Sequence, residues 1–236
     1  MSTQHATEVA ETGVRIPARG VVLAADLGVP DAPTGIVLFA HGSGSGRHSP
    51  RNKHVAAELR AAGFATLLAD LLTEEEESAE ARTGVLRFDL ELLAGRLAAT
   101  IDWLDRQPGT RALPVGLFGA STGGGAALIA ATRRPDRVRA VVSRGGRPDL
   151  VRGALLSVRC PVLLIVGGRD ELVLQLNEAA HERLGCAVKE LVVVPGAGHL
   201  FEEPGALDTI ARLAADWFTR HLRRPDNKRP KAGEPH

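Results

Sequence analysis

The chain has 236 residues, 44% of them hydrophobic and 24% charged, with 29 Lys and Arg against 28 Asp and Glu. That length and balance suit one globular domain and exclude a disordered chain, a collagen-like repeat and a disulfide mini-protein, while a net charge of +1 lacks the basic excess of a nucleic-acid binder. Aromatic residues make up 3% and no Tyr occurs, which excludes any mechanism that needs a phenol and argues against a broad stacking platform.

Residues 1–12 carry little pattern, and 223–236 hold Pro225, Pro230 and Pro235 among charges. Both are expected to be flexible tails on a domain spanning 13–222. Residues 14–17 and 21–27 flank Ala18-Arg19-Gly20 and predict an antiparallel hairpin on one sheet edge. From residue 35 onward, short apolar runs alternate with longer amphipathic ones. Strands are predicted at 35–40, 64–70, 114–120, 138–143, 161–166 and 188–194. Helices are predicted at 52–62, within 85–106, at 123–134, 173–184 and 206–222, with a short helix at 148–156. Glu74 to Glu77 read as a solvated loop or a helix start, with a lid-like role as the sharper alternative.

The strands are mostly apolar and do not alternate, as expected of strands buried on both faces of a parallel sheet with helical crossovers. The fold class is therefore α/β, a doubly wound and mostly parallel sheet of about eight strands. About six parallel strands are too few for an eight-stranded α/β barrel. The longest apolar runs fall far short of a membrane span and the start has no apolar leader, so a soluble cytoplasmic protein is expected.

In such a sheet, function sits at the carboxyl ends of the strands. His41-Gly-Ser-Gly-Ser-Gly46 follows the first parallel strand, Gly119-Ala-Ser-Thr-Gly123 the third, Gly167-Gly-Arg-Asp170 the fifth and Pro195-Gly-Ala-Gly-His199 the last. Gly-x-Ser-x-Gly around Ser121 fits a strained strand-to-helix turn that exposes a serine hydroxyl at a helix N-terminus. It lacks the Gly-Lys-Ser/Thr ending of a phosphate-cradling loop. His199 is the candidate general base, and Asp170 the first choice for the acid that orients it, with Asp149 and then Glu171 behind. The backbone amides of Ser43 and Thr122 are the expected oxyanion donors, and the His41 side chain is expected to hold its loop.

Together these motifs resemble the α/β-hydrolase superfamily, and within it the dienelactone-hydrolase-like proteins. His41-Gly-Ser-Gly, Gly119-Ala-Ser-Thr-Gly-Gly-Gly125, Gly168-Arg-Asp170 and Gly198-His-Leu-Phe201 match in order and spacing over roughly residues 13–222. The resemblance implies a hydrolase that works through an acyl-enzyme and needs no cofactor. It departs at one position, because dienelactone hydrolases carry a cysteine nucleophile where this chain has Ser121. The departure points away from dienelactone hydrolysis itself and toward cleavage of an ester, lactone or thioester through serine. Acyl transfer or perhydrolysis on the same residues, and a non-catalytic binding protein on this fold, are the rival readings. Some relatives are fused to a phosphoribosyltransferase domain, and none is expected here.

The short segment between the fourth and fifth parallel strands predicts no lid domain. Arg144 and Arg147 lie just beyond a strand end and Arg47 beyond the oxyanion loop, and they are expected to favour substrates bearing negative charge. His48 and His54 lack the acids or cysteines of a zinc site, so no metal is expected. Cys160 and Cys186 precede strands and are expected to be free buried thiols. A small-molecule ester is the expected partner, without nucleic acid or membrane, on a monomer or small homo-oligomer.

Overall fold

The structure, a computed structural model, describes residues 9–222, without the side chains of residues 80–83 and 152. The two expected tails lie outside the described residues, apart from residues 9–12, of which Glu11 and Thr12 already pair with a neighbouring strand. One eight-stranded sheet is built from β1 (Glu11–Ala18), β2 (Val21–Gly28), β3 (Ile36–Ala40), β4 (Ala65–Ala69), β5 (Val115–Ala120), β6 (Val138–Arg144), β7 (Val162–Gly167) and β8 (Lys189–Val194). Their spatial order is β1-β2-β4-β3-β5-β6-β7-β8. The hairpin β1–β2 joins β4 antiparallel, and every pairing from β4 to β8 is parallel.

Among the described residues the α-helices are α1 (Pro50–Ala61), α2 (Glu74–Thr83), α3 (Leu90–Leu104), α4 (Thr122–Arg133), α5 (Glu171–Arg183) and α6 (Ala206–Leu222). The predicted stretch 85–106 is broken: a 3-10 turn at Leu86–Phe88 precedes α3, and Asp89 restarts the helix by accepting the Leu92 amide at 3.0 Å. Residues 148–156 form a 3-10 segment, Pro148–Ser157. The four glutamates open α2 and are not a loop.

Alternation along each strand splits the core into two layers. Ile36, Leu38 and Ala40 of β3 face α3, α4 and α5, where Leu93, Leu97, Ala127 and Ala180 are buried and Trp103 packs half-buried. Val37 and Phe39 face α1 and α6, where Leu59, Ile210 and the fully buried Trp217 lie. Phe39 and Phe118 meet there with ring centroids 5.0 Å apart. β3, β4, β5 and β7 are buried along their whole length, which explains their uninterrupted apolar sequences. Among the described residues no helix is long and apolar enough to cross a membrane.

Candidate active site

The turn from β5 into α4 carries Ser121 at φ 51° and ψ −120°, a left-handed conformation that side chains rarely adopt. Sequence makes the turn possible. A Cβ on Gly119 would lie 2.5 Å from the Gly123 oxygen, and one on Gly123 would lie 2.1 Å from the Ala40 oxygen, so neither position tolerates a side chain. The Ser121 amide donates to the Arg144 oxygen at 3.1 Å, and the Ser121 oxygen accepts the Gly124 and Arg147 amides at 3.0 and 3.1 Å. The strained serine is thus pinned to α4, to the end of β6 and to the residue before the 3-10 segment.

Two other strand ends converge on it. Asp170 closes the turn after β7, with its amide on the Gly167 oxygen at 3.0 Å and its oxygen accepting the Leu174 amide at the start of α5. His199 comes from the loop between β8 and α6. Its Nδ1 lies 2.5 Å from Asp170 Oδ2, and its Nε2 lies 3.3 Å from Ser121 Oγ. With the acid on Nδ1, that nitrogen carries the proton and Nε2 is free to accept one from Ser121. Asp170 is the more sheltered partner, at 15% side-chain exposure against 38% for His199. Asp149 is engaged elsewhere: Arg147 binds it through two hydrogen bonds of 2.8 Å and holds its carboxyl below the usual aspartate range. Glu171 is an exposed residue in the first turn of α5.

Ser43 and Thr122 both line a chamber of about 10 Å³ together with His41, Gly42, Glu77 and Arg87. That volume is about one water or one oxygen substituent. Thr122 opens α4, where backbone amides have no partner inside the helix. His41 shapes the chamber. Its Nε2 accepts the Leu71 amide at 2.8 Å, which leaves Nδ1 as the donor to the Gly42 oxygen at 3.0 Å and ties the glycine loop to the end of β4.

The three candidate arginines divide. The Arg47 guanidinium pairs with Asp70 and lies 3.6 Å from Asp26. Arg147 is spent on Asp149. Both charges are therefore already matched by nearby carboxylates. Arg144 differs: it is buried, its Nε has no hydrogen-bond partner, and no carboxylate pairs with it among the described residues. Its guanidinium lies 5.8 Å from the centroid of the Phe201 ring. Burial, with the Arg51 charge adding to it, pushes its pKa down to about 10, so it stays charged at neutral pH.

Cys160 and Cys186 precede β7 and β8, at the opposite end of the sheet from Ser121. Burial pushes the Cys160 thiol up to about 12, far from the range of a nucleophile. Among the described residues no group of three or more His, Cys, Asp or Glu could hold a metal ion. His48 and His54 instead face Asp26 and Asp208 separately.

The fold also brings Glu77 of α2 and Arg87 of the 3-10 turn before α3 to the chamber beside Ser43 and Thr122, and Glu203 to the Gly198 amide in the histidine loop; of these, Arg87 and Glu203 carry no sequence signal. Glu203 lies four residues past His199, but nothing local separates it from Glu202.

Residues 23–222 match the family model described as the dienelactone hydrolase family. Two curated proteins from strains of Mycobacterium tuberculosis, each named "Putative phosphoribosyl transferase", are 58% identical over 209 residues, covering 89% of this chain and 46% of theirs. The chain therefore spans less than half the length of these relatives. Among solved structures, a dienelactone hydrolase from Anabaena variabilis is 56% identical with a TM-score of 0.89, covering 92% of this chain and 100% of that one. Est1E from Butyrivibrio proteoclasticus shares the fold at 17% identity and a TM-score of 0.73, covering 88% of this chain and 98% of its own.

Proposed function

Since this chain belongs to the dienelactone hydrolase family and has the α/β-hydrolase fold, we propose that it is a serine hydrolase that cleaves a carboxylic ester, lactone or thioester through an acyl-enzyme. One observation carries the reading: His199 bridges Asp170 Oδ2 at 2.5 Å and Ser121 Oγ at 3.3 Å, with the serine in a strained turn at a helix N-terminus.

Ser121 Oγ attacks the substrate carbonyl carbon while its proton passes to His199 Nε2. The charge that develops on the carbonyl oxygen falls in the chamber lined by Ser43 and Thr122, whose amides are the donors, with the positive end of α4 behind them. Collapse of the tetrahedral species expels the alcohol or thiol, which takes the proton from His199. Water then enters, gives a proton to His199 and attacks the acyl carbon, and collapse frees the acid and Ser121. Asp170 holds the imidazole in the working tautomer and stabilises the imidazolium in both halves. With the thiols remote, serine is the nucleophile that fits this geometry. The mycobacterial relatives are named for a transferase, but the chain spans less than half of them, and the arrangement described here favours acyl chemistry.

Of the three arginines expected to select anionic substrates, we carry forward Arg144 alone, because Arg47 and Arg147 are already matched by carboxylates.

Ser121→Ala is expected to abolish turnover of a p-nitrophenyl ester and labelling by a fluorophosphonate probe while leaving the melting temperature unchanged. Wild-type turnover in that variant would sink the proposal. Turnover that is lost while wild-type protein also fails to label would point to a different nucleophile.

A further inference from the structure

We infer that Glu203 is a positioning residue whose carboxylate clips the loop bearing His199 to the loop bearing Asp170. The inference rests on the serine-hydrolase reading above.

The loop between β8 and α6 runs over residues 195–205 and must hold an imidazole to a fraction of an ångström without regular secondary structure. Glu203 Oε1 accepts the Gly198 amide at 3.0 Å, one residue before His199, and Arg169 Nη2 at 2.6 Å, one residue before Asp170. The Arg169 amide adds a second tie, donating to the Ala197 oxygen at 2.9 Å. One carboxylate oxygen therefore joins the residue preceding the base to the residue preceding the acid. The clip has a firm base, since the Glu203 oxygen accepts the Ala206 amide at 3.0 Å where α6 begins. The carboxyl is held below the ordinary glutamate range by its own backbone amide, by Arg169 and by the Gly198 amide, and is an anion at neutral pH.

The loop needs such a fixture. Phe201, two residues past the histidine, sits at φ 55°, a conformation costly for a phenylalanine, with its ring 1% exposed. A strained turn persists only where its surroundings over-determine it. The His199–Ser121 separation of 3.3 Å leaves little slack before proton transfer fails. Freeing the Gly198 amide would shift the imidazole relative to Ser121, and misplacements of about 1 Å can cost about 100-fold in rate. The oxyanion chamber lies on other loops, so substrate binding should be spared.

The test compares the 236-residue wild-type chain with Glu203→Ala, Glu203→Met and Glu203→Gln on a p-nitrophenyl ester. Glu203→Ala should lower kcat about tenfold or more with KM changed by less than about twofold. Glu203→Met keeps the length of the side chain but accepts no such bond, and should fall as far. Glu203→Gln retains an oxygen for the Gly198 amide and should recover kcat to within about threefold of wild type. A wild-type kcat in Glu203→Met overturns the inference, as does a loss confined to KM, or a glutamine variant as poor as the alanine one. Failure of the hydrolase reading shows separately, as turnover that survives Ser121→Ala.

Discussion

Asp170 and Asp149 are both aspartates just past a strand of the sheet, and only their partners tell them apart. Asp170 faces His199, whereas Asp149 is locked to Arg147 two residues away. Asp170→Asn should lower kcat by roughly 10³ to 10⁴, because an amide cannot hold the working tautomer or stabilise the imidazolium. Asp149→Asn should leave kcat within about threefold, since a surface pair of this kind contributes little. Steady-state kinetics on one ester decides it, and the reverse ranking would reassign the acid. Arg144 makes a second case at this scale. A buried guanidinium without a carboxylate is costly unless something offsets its charge. If a substrate anion does so, Arg144→Met should lower kcat/KM for an ester with a carboxylate on its acyl group at least about tenfold more than for its neutral twin. Equal losses on both esters remove that role.

Helix α2 realises one of the two readings that its composition allows. Four consecutive glutamates suit a solvated loop or a helix start, and Thr73-Glu-Glu-Glu76, a capping-box pattern, decides for the helix. Thr73 Oγ accepts the Glu76 amide at 3.2 Å, and Glu76 Oε2 accepts the Thr73 amide at 2.8 Å. What sequence could not announce is the partner on the next helix. Arg96 of α3 is almost wholly buried, donates to the Leu71 oxygen at 2.6 Å and grips both oxygens of Glu76 at 2.6 and 2.5 Å. The Arg96 hydrogen bonds, more than the Thr73 amide, hold the Glu76 carboxyl below its usual range. A carboxylate with a lowered folded-state pKa stabilises the fold above its unfolded pKa, near 4.5, and that contribution is lost as pH falls through the folded value. Glu76→Gln should therefore cost on the order of 1–2 kcal/mol at pH 7. The difference should shrink as the pH is lowered below about 4.5. Urea melts of both proteins across that range test it, and a pH-independent difference would contradict it.

Across the whole molecule, the parallel sheet was legible because strands buried on both faces must be apolar throughout. The edge hairpin was legible from its glycine turn. Ser121 and His199 could be picked out because an open α/β sheet confines chemistry to strand ends. Strand order was not legible: β4 slots between β2 and β3, a pairing of segments about forty residues apart that no local pattern encodes. The matching of Arg47 to Asp70 and of Glu203 to Gly198 escaped for the same reason, since each depends on where loops meet in space. The two layers of the core have one more consequence. The chain has two tryptophans and no tyrosine, and one tryptophan serves each face of the sheet: Trp103 half-buried on the α3 side, Trp217 sealed on the α6 side. Its ultraviolet emission is therefore a two-colour record of folding, bluer from Trp217 and redder from Trp103. Single-tryptophan variants would show whether the helices on opposite sides of the sheet let go together or in turn.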